Sequence, residues 1–480
     1  MKILMISSEG WPLARSGALA DVLAALPREL KQRGHEVALV MPLYREVREQ
    51  NIAGRTLPVN IEVLLGAQHH TASVVEAKTP EGLQIFFIRC DEFFDRPAVY
   101  GEKGEPYADN AARFIFFSKA VVELARRMQP SPDLLHAHDW PAALVPVLVR
   151  EQNLPFATVL SVHHLAAQGS FPAEDFGLTN LPASYFQPAG VEFFGRLNLL
   201  KGGLRFADRI VVAGEPSAYG VQTESLGEGL EMVFREQASR LVGILPGADI
   251  QRWDPSTDPF LPVRYGPGSL PLKSSSRAAL LSDLGLAPTL RGPVFGMVTR
   301  LVGEKGFDIL LPVLDRLLAD DVRLIILGKG DPAYETALGI AARKFPSRLA
   351  YRHDYDEGLA HLIEGGSDIA LIPSRVEPGG FSAMHSLRYG VLPVARAARG
   401  IEQIIADYDP AAESGYGFLF YEYGSEPFWD AIKRAREVFA DRAEWERLMK
   451  RAVTRDFSWA NAAERYEELY GGLVSLHAAA

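Results

Sequence analysis

One cysteine, Cys90, stands in 480 residues, so an intrachain disulfide and a thiolate-rich metal site are both excluded. Long apolar runs are missing too, since no stretch approaches the roughly eighteen apolar residues of a spanning helix. The opening run MKILMIS stops at Ser7, Ser8 and Glu9 with no small-residue cleavage site, which predicts a cytoplasmic protein with no membrane partner. Basic charge is in deficit, with 50 Lys and Arg against 60 Asp and Glu and a formal net charge of −10. That balance argues against a nucleic-acid partner, and any anionic ligand must meet a local cluster of cations. Nucleophilic machinery is thin, with no Gly-x-Ser-x-Gly elbow and no base beside Cys90. The short loop Gly328-Lys329-Gly330-Asp331 lacks the spacing and the final Ser or Thr of a phosphate-binding P-loop.

What the chain does contain is alternation. The run KILMIS is followed by Leu19, Val22, Leu23, Leu26 and Leu30 at helical spacing, then by EVALVMP and LQIFFIR, which read as strands. A helix across Ala111 to Met128, the buried run DLLHAHD, a helix after Pro141 and the strand ATVLSVHH come next. Buried runs alternating with helices imply a parallel sheet covered on both faces. Pro255, Pro259, Pro262, Pro267 and Pro271, with Gly266 and Gly268, interrupt the pattern and predict a loop or linker. Alternation then restarts with PVFGMVTR, a helix from Phe307, VRLIILGKG, a helix through Ala342 and DIALIPSR. From about Trp429 to Tyr470 the pattern is helical. The class is α/β, with two doubly wound domains whose ligands are expected in a cleft at the carboxyl ends of the strands.

Polar clusters sit where those strands end. Arg300 and Lys305, with Gly303 and Gly306 between strand and helix, would bring two cations to a diphosphate. Glu377 precedes Gly379 and Gly380 and a helix beginning near Phe381, whose free amides suit a phosphate or sugar hydroxyls. A solvated surface pair and an acidic helix start are the plain structural readings of the same residues. His136 and His138 alternate on one strand face, and with Asp139 and His163 they admit either hydrogen bonding to a neutral polar substrate or ligation of a metal such as zinc. In the first loop, PLARSGALADV carries a cation, Arg15, and one glycine, Gly17, between a strand and a helix.

Taken in order, these segments resemble bacterial glycogen synthase and plant starch synthase. The resemblance runs from KILMISSEGWPLARSGALADV through FFDRPAVYG, YADNAARFIFFSKA, LLHAHDW, SVHHLAAQG and LLKGGLRFAD. It continues through GILPGAD, TRLVGEKGFDILL, LGKGDPAYE, LIPSRVEPGGFSAMHSLRYGVLPV and DFSWANAAERY. It implies the GT-B fold, two Rossmann-like domains facing a central cleft, over residues 1–250 and 251–455, with 456–480 crossing back to the first. It further implies a retaining glucosyltransferase that moves glucose from ADP-glucose to the 4-hydroxyl of an α-1,4-glucan or maltooligosaccharide, with no metal or other cofactor. Under the resemblance Arg300 and Lys305 stabilise the departing diphosphate, and Glu377 orients the glucose or stabilises its oxocarbenium character. His163 and Asp139 lie against the sugar, and Tyr355 stacks near the adenine. Gly380, Phe381 and Ser382 offer amides to the phosphates, while Arg15, Gly17, Ala18, Asp21, Pro246 and Glu304 complete the donor side.

Several of those positions depart from the family pattern. Arg15 and Ala18 replace a Lys and a Gly of Lys-x-Gly-Gly-Leu, exchanging a compact ammonium for a planar fork and adding a methyl. Pro246 replaces an Asn and removes a backbone donor. Glu304 replaces a Gln and sets a negative charge beside Lys305; Arg399 replaces a Gly and His164 an Asn. A relative with a changed donor or acceptor, or a glucan- or nucleotide-binding homologue without transfer, is therefore the alternative expectation, and a metal-dependent hydrolase is a further one.

Overall fold

Residues Lys2–Ile6 form strand β1, four of whose five side chains are buried, and the structure, a computed structural model, builds outward from it. It describes residues 1–10, 12–14, 19–50, 52–79, 82–102, 105–250, 252–288, 291–377, 379–398 and 400–479. By contact the chain divides into two units, Met1–Pro246 with Trp459–Ala480, and Gly247–Ser458.

Among the described residues the first unit holds a nine-stranded sheet. Its further strands are β2 (Glu36–Pro42), β3 (Gly54–Leu65), β4 (Gln68–Lys78) and β5 (Gln84–Arg89). They continue with β6 (Leu134–His138), β7 (Ala157–Val162), β8 (Arg209–Ala213) and β9 (Leu241–Ile244). The order is β9-β8-β7-β6-β1-β2-β5-β4-β3. All pairs are parallel except β3 with β4 and β4 with β5. The parallel strands are almost wholly buried, as a sheet covered on both faces requires. In the helix Leu19–Gln32 the residues Leu19, Val22, Leu23, Leu26 and Leu30 form one buried stripe. A separate three-stranded sheet joins Ser170–Phe171, Arg196–Asn198 and Glu192–Phe193.

The last helix, Trp459–Ala479, belongs to this first unit. Glu467 takes Arg33 at 3.2 Å and His35 at 3.1 Å, and Arg33 also donates to the Ala460 carbonyl. Its own Tyr466 and Tyr470 are buried.

In the second unit the strands are β10 (Val294–Val298), β11 (Arg323–Leu327), β12 (Leu349–Arg352), β13 (Ile369–Ile372), β14 (Leu392–Arg396) and β15 (Phe418–Phe420). They form an all-parallel sheet in the order β12-β11-β10-β13-β14-β15. The proline-rich stretch is irregular as expected, but it is packed into this unit. Asp258 accepts from Tyr389 at 2.5 Å and bonds His361 at 2.8 Å, and the Tyr265 hydroxyl donates to the Tyr389 carbonyl.

Candidate active site

Among the parallel strands of each large sheet the chain order reverses at one point, between β1 and β6 in the first unit and between β10 and β13 in the second. Loops leaving the carboxyl ends of strands at such a point diverge and leave room for a ligand. Asp139 and His163 in the first unit, and Arg300, Lys305, Glu377 and Ser382 in the second, lie around these two places.

In the first unit β6 delivers Asp139, which adopts a left-handed backbone with φ of 56°, a conformation Asp tolerates better than most residues. Its Oδ1 accepts the backbone N–H of His163 at 2.7 Å and of His164 at 3.2 Å. The carboxylate thereby pins the end of β7 against that of β6. His138 Nδ1 and His163 Nε2 share a hydrogen bond of 3.1 Å, and their rings stack at 5.4 Å. The His136 ring lies 4.0 Å from that of His138, with one nitrogen bonded to the Ser161 hydroxyl and the other to the Tyr470 hydroxyl, both at 2.7 Å. Burial depresses the basicity of all three rings, that of His136 to about 3, so they are neutral at physiological pH.

Sequence reasoning passed over Glu9, although its place just beyond β1 at the reversal point marked it. It is buried, and Tyr100 donates to its Oε1 at 2.7 Å while bonding Ser8 at the same distance. Tyr470 and Tyr466 were also missed, because 300 residues of chain separate them from the strands they touch and no local pattern links them. Asp21 lies half-buried in the first turn of Leu19–Gln32. Arg15, Gly17 and Ala18 fall outside the described residues, as does Arg399. Pro246 is half-buried beyond β9 and ends the first unit.

The second unit presents charge. Lys305 Nζ sits 2.7 Å from Glu377 Oε2, which also accepts from Ser374 Oγ at 2.7 Å. Glu377 is buried. Gly306 sets up this approach with φ of 82°; a Cβ there would come within 2.2 Å of the Pro373 carbonyl oxygen. Arg300 pairs with Glu304 at 3.2 Å, half exposed, and the Glu304 carbonyl takes the Arg375 amide at 2.7 Å. Gly379 and Gly380 are left-handed, with φ of 73° and 63°, and lead into the helix Phe381–Arg388. Thr299, Ser374, Glu377, Ser382 and Ser386 line one pocket together with Glu364. Burial raises the Glu364 carboxyl to about 7, and Ser386 donates to it at 2.9 Å. Tyr355 stands 47% exposed beyond the edge strand β12.

Both His136 nitrogens are bonded to hydroxyls and His138 Nδ1 to His163 Nε2, and among the described residues no group of three or more His, Cys, Asp or Glu could hold a metal ion.

Comparison with known proteins then decides the family. Residues 2–236 match the starch synthase catalytic domain and residues 287–451 match glycosyl transferases group 1. Glycogen synthase of Koribacter versatilis is 39% identical over 476 residues, 98% of each chain. The chain belongs to the glycogen synthase family. That of Opitutus terrae is 40% identical over 98% of this chain and 99% of its own. Among solved structures, the catalytic domain of starch synthase IV from Arabidopsis thaliana, bound to ADP and acarbose, superposes with a TM-score of 0.91 at 29% identity, covering 99% of each chain. Sucrose-phosphate synthase from Thermosynechococcus elongatus, at 16% identity and a TM-score of 0.63 over 99% of each chain, shares the fold. As a glycogen synthase relative the chain is a hexosyltransferase with the GT-B fold. Among the described residues no helix is long and apolar enough to cross a membrane.

Proposed function

We propose that this enzyme transfers glucose from ADP-glucose, in the cytoplasm, to the 4-hydroxyl end of an α-1,4-glucan or maltooligosaccharide, with retention at the anomeric carbon. It does so with no metal or other cofactor and with neither nucleic acid nor membrane as partner. The observation that carries this reading is the Lys305–Glu377 pair of 2.7 Å beside the start of the helix Phe381–Arg388. As the bond from the anomeric carbon to the diphosphate lengthens, negative charge grows on the leaving oxygen. A preorganised ammonium, the Arg300 guanidinium and the amides of Phe381 and Ser382 meet that charge electrostatically. Glu377 holds Lys305 in place and offers a carboxylate to the positive character that develops on the sugar. His163 and Asp139 serve the sugar hydroxyls, for which neutral hydrogen-bonding groups are suited. The relative solved with ADP and acarbose supports a nucleotide and a glucan-like ligand for this chain.

A second reading, a relative with altered donor use, is favoured by one contact. Glu304 occupies Arg300 at 3.2 Å, a carboxylate that competes with phosphate for the same cation. Both are tested by incubating the purified protein with maltoheptaose and either ADP-glucose or UDP-glucose, with and without a chelator. Chain extension and ADP release, undiminished by the chelator, are expected. Turnover with UDP-glucose alone would favour the second reading, and turnover with neither would sink both.

A further inference from the structure

The small sheet of the first unit ends in a tight hairpin. Phe193 pairs with Arg196, so Phe194 and Gly195 are its two central residues, with φ of 48° and 75°. Two positive φ values in a two-residue loop define a turn that favours Asn-Gly or Asp-Gly. A bulky aromatic in the first position is strained, and strain of that kind persists where function requires it. Phe194 is also 85% exposed, the highest of the large exposed apolar side chains. Two stability costs thus fall on one residue.

The tip is nevertheless held firmly. The ammonium of buried Lys201 donates to the carbonyls of Pro188, Gly190 and Glu192, which uses all three of its donors on the segment leading to the tip. Gly195 N donates to Glu192 Oε1 at 2.6 Å, and the Phe193 ring packs edge-on against that of Phe194 at 4.6 Å. The sheet is anchored next to the sugar-side residues. Phe171 packs on Trp140, the residue after Asp139, at 5.8 Å, and Gly169 lies so close to Trp140 that a Cβ would come within 2.5 Å.

We infer that Phe194 is a stacking platform for the α-glucan acceptor, a specificity determinant built on the first unit. A rigid, exposed aromatic face suits the C–H faces of a glucose chain, which has apolar faces and hydroxyl edges. The inference rests on the glucan-synthase reading, and its test separates the two. In the full chain Phe194→Asn keeps the turn chemistry while removing the ring, so its thermal midpoint stays equal or rises. The KM for maltoheptaose rises about tenfold, while the KM for the nucleotide sugar does not move. Phe194→Trp restores the acceptor KM. An unchanged acceptor KM in Phe194→Asn, or a sedimentation-measured dimer lost in that variant with the acceptor KM unchanged, overturns the inference and in the latter case assigns the ring to self-association. Calorimetric titration of maltoheptaose into both proteins reads the platform without turnover. Weaker binding by Phe194→Asn upholds it even if the enzyme proves to use another donor, and equal binding overturns it.

Discussion

At the carboxyl ends of the first unit's strands the ionisable rings are neutral and packed against one another, whereas the groups at those of the second unit hold opposite charges in contact. His136, His138 and His163 belong to one buried network of rings and hydroxyls; Lys305 and Glu377, Arg300 and Glu304 stand as ion pairs. A sugar offers hydroxyls, for which neutral donors and acceptors are well matched. A nucleotide diphosphate offers charge, which calls for cations held in place. One sheet architecture has thus been finished in two electrostatic styles.

Removing a cation from the second group should have the largest effect. Lys305→Ala is expected to lower kcat about 10²–10³-fold and to reduce stability, because the buried Glu377 carboxylate loses its cation and keeps only the Ser374 hydroxyl. Single-turnover rates and urea midpoints check this, and activity within threefold of the parent would contradict it. Acid should break the first group next. The folded-state pKa of His136, about 3, lies below its ordinary value of 6.5, so the unfolded chain binds the proton more readily. The stability this histidine contributes is present above pH 6.5 and drains away as pH falls toward 3. For that ring alone the loss is about 2 kcal/mol between pH 6.5 and 5, read from urea midpoints across the range, and a flat profile would show that the rings are not held neutral.

A smaller change is expected of Tyr470→Phe, which leaves a buried nitrogen of His136 without its 2.7 Å partner. A loss of about 1–2 kcal/mol follows; Tyr466→Phe should cost less, since its hydroxyl is 3.4 Å from Ser161. Chemical denaturation of both variants tests the ranking. The least disruptive variant, Glu304→Gln, frees Arg300 from a half-exposed pair worth under about 1 kcal/mol. It should lower the KM for the nucleotide sugar about two- to threefold, and a rise would mean that Glu304 assists the donor instead.

The parallel strands and their helices were legible in the chain because both faces of those sheets are covered, leaving continuous apolar runs such as KILMIS and VRLIIL. The antiparallel pair β3 and β4 was not. It lies at the sheet edge with side chains alternating between water and core, so it carries no continuous apolar run like those of the buried strands. At the site, the pairing of Lys305 with Glu377 joins two segments each recognisable from its glycines. Their contact distance depends on Gly306 and on the return of β13 beside β10, which only the fold supplies. The contribution of Tyr470 was hidden for the same reason, and the hairpin at Phe194 was hidden because Phe-Gly does not look like a turn.

The placement of the helix Trp459–Ala479 in the first unit has a consequence for biosynthesis. When Pro246 leaves the ribosome, the first sheet has all nine of its strands but lacks the helix that supplies Tyr466 and Tyr470. At about 5–20 residues per second, synthesis of the second unit delays that helix by roughly 10–40 s. Until then the histidine network lacks its tyrosine hydroxyls, so a ribosome-bound first unit is a nascent chain still waiting for its own closing segment.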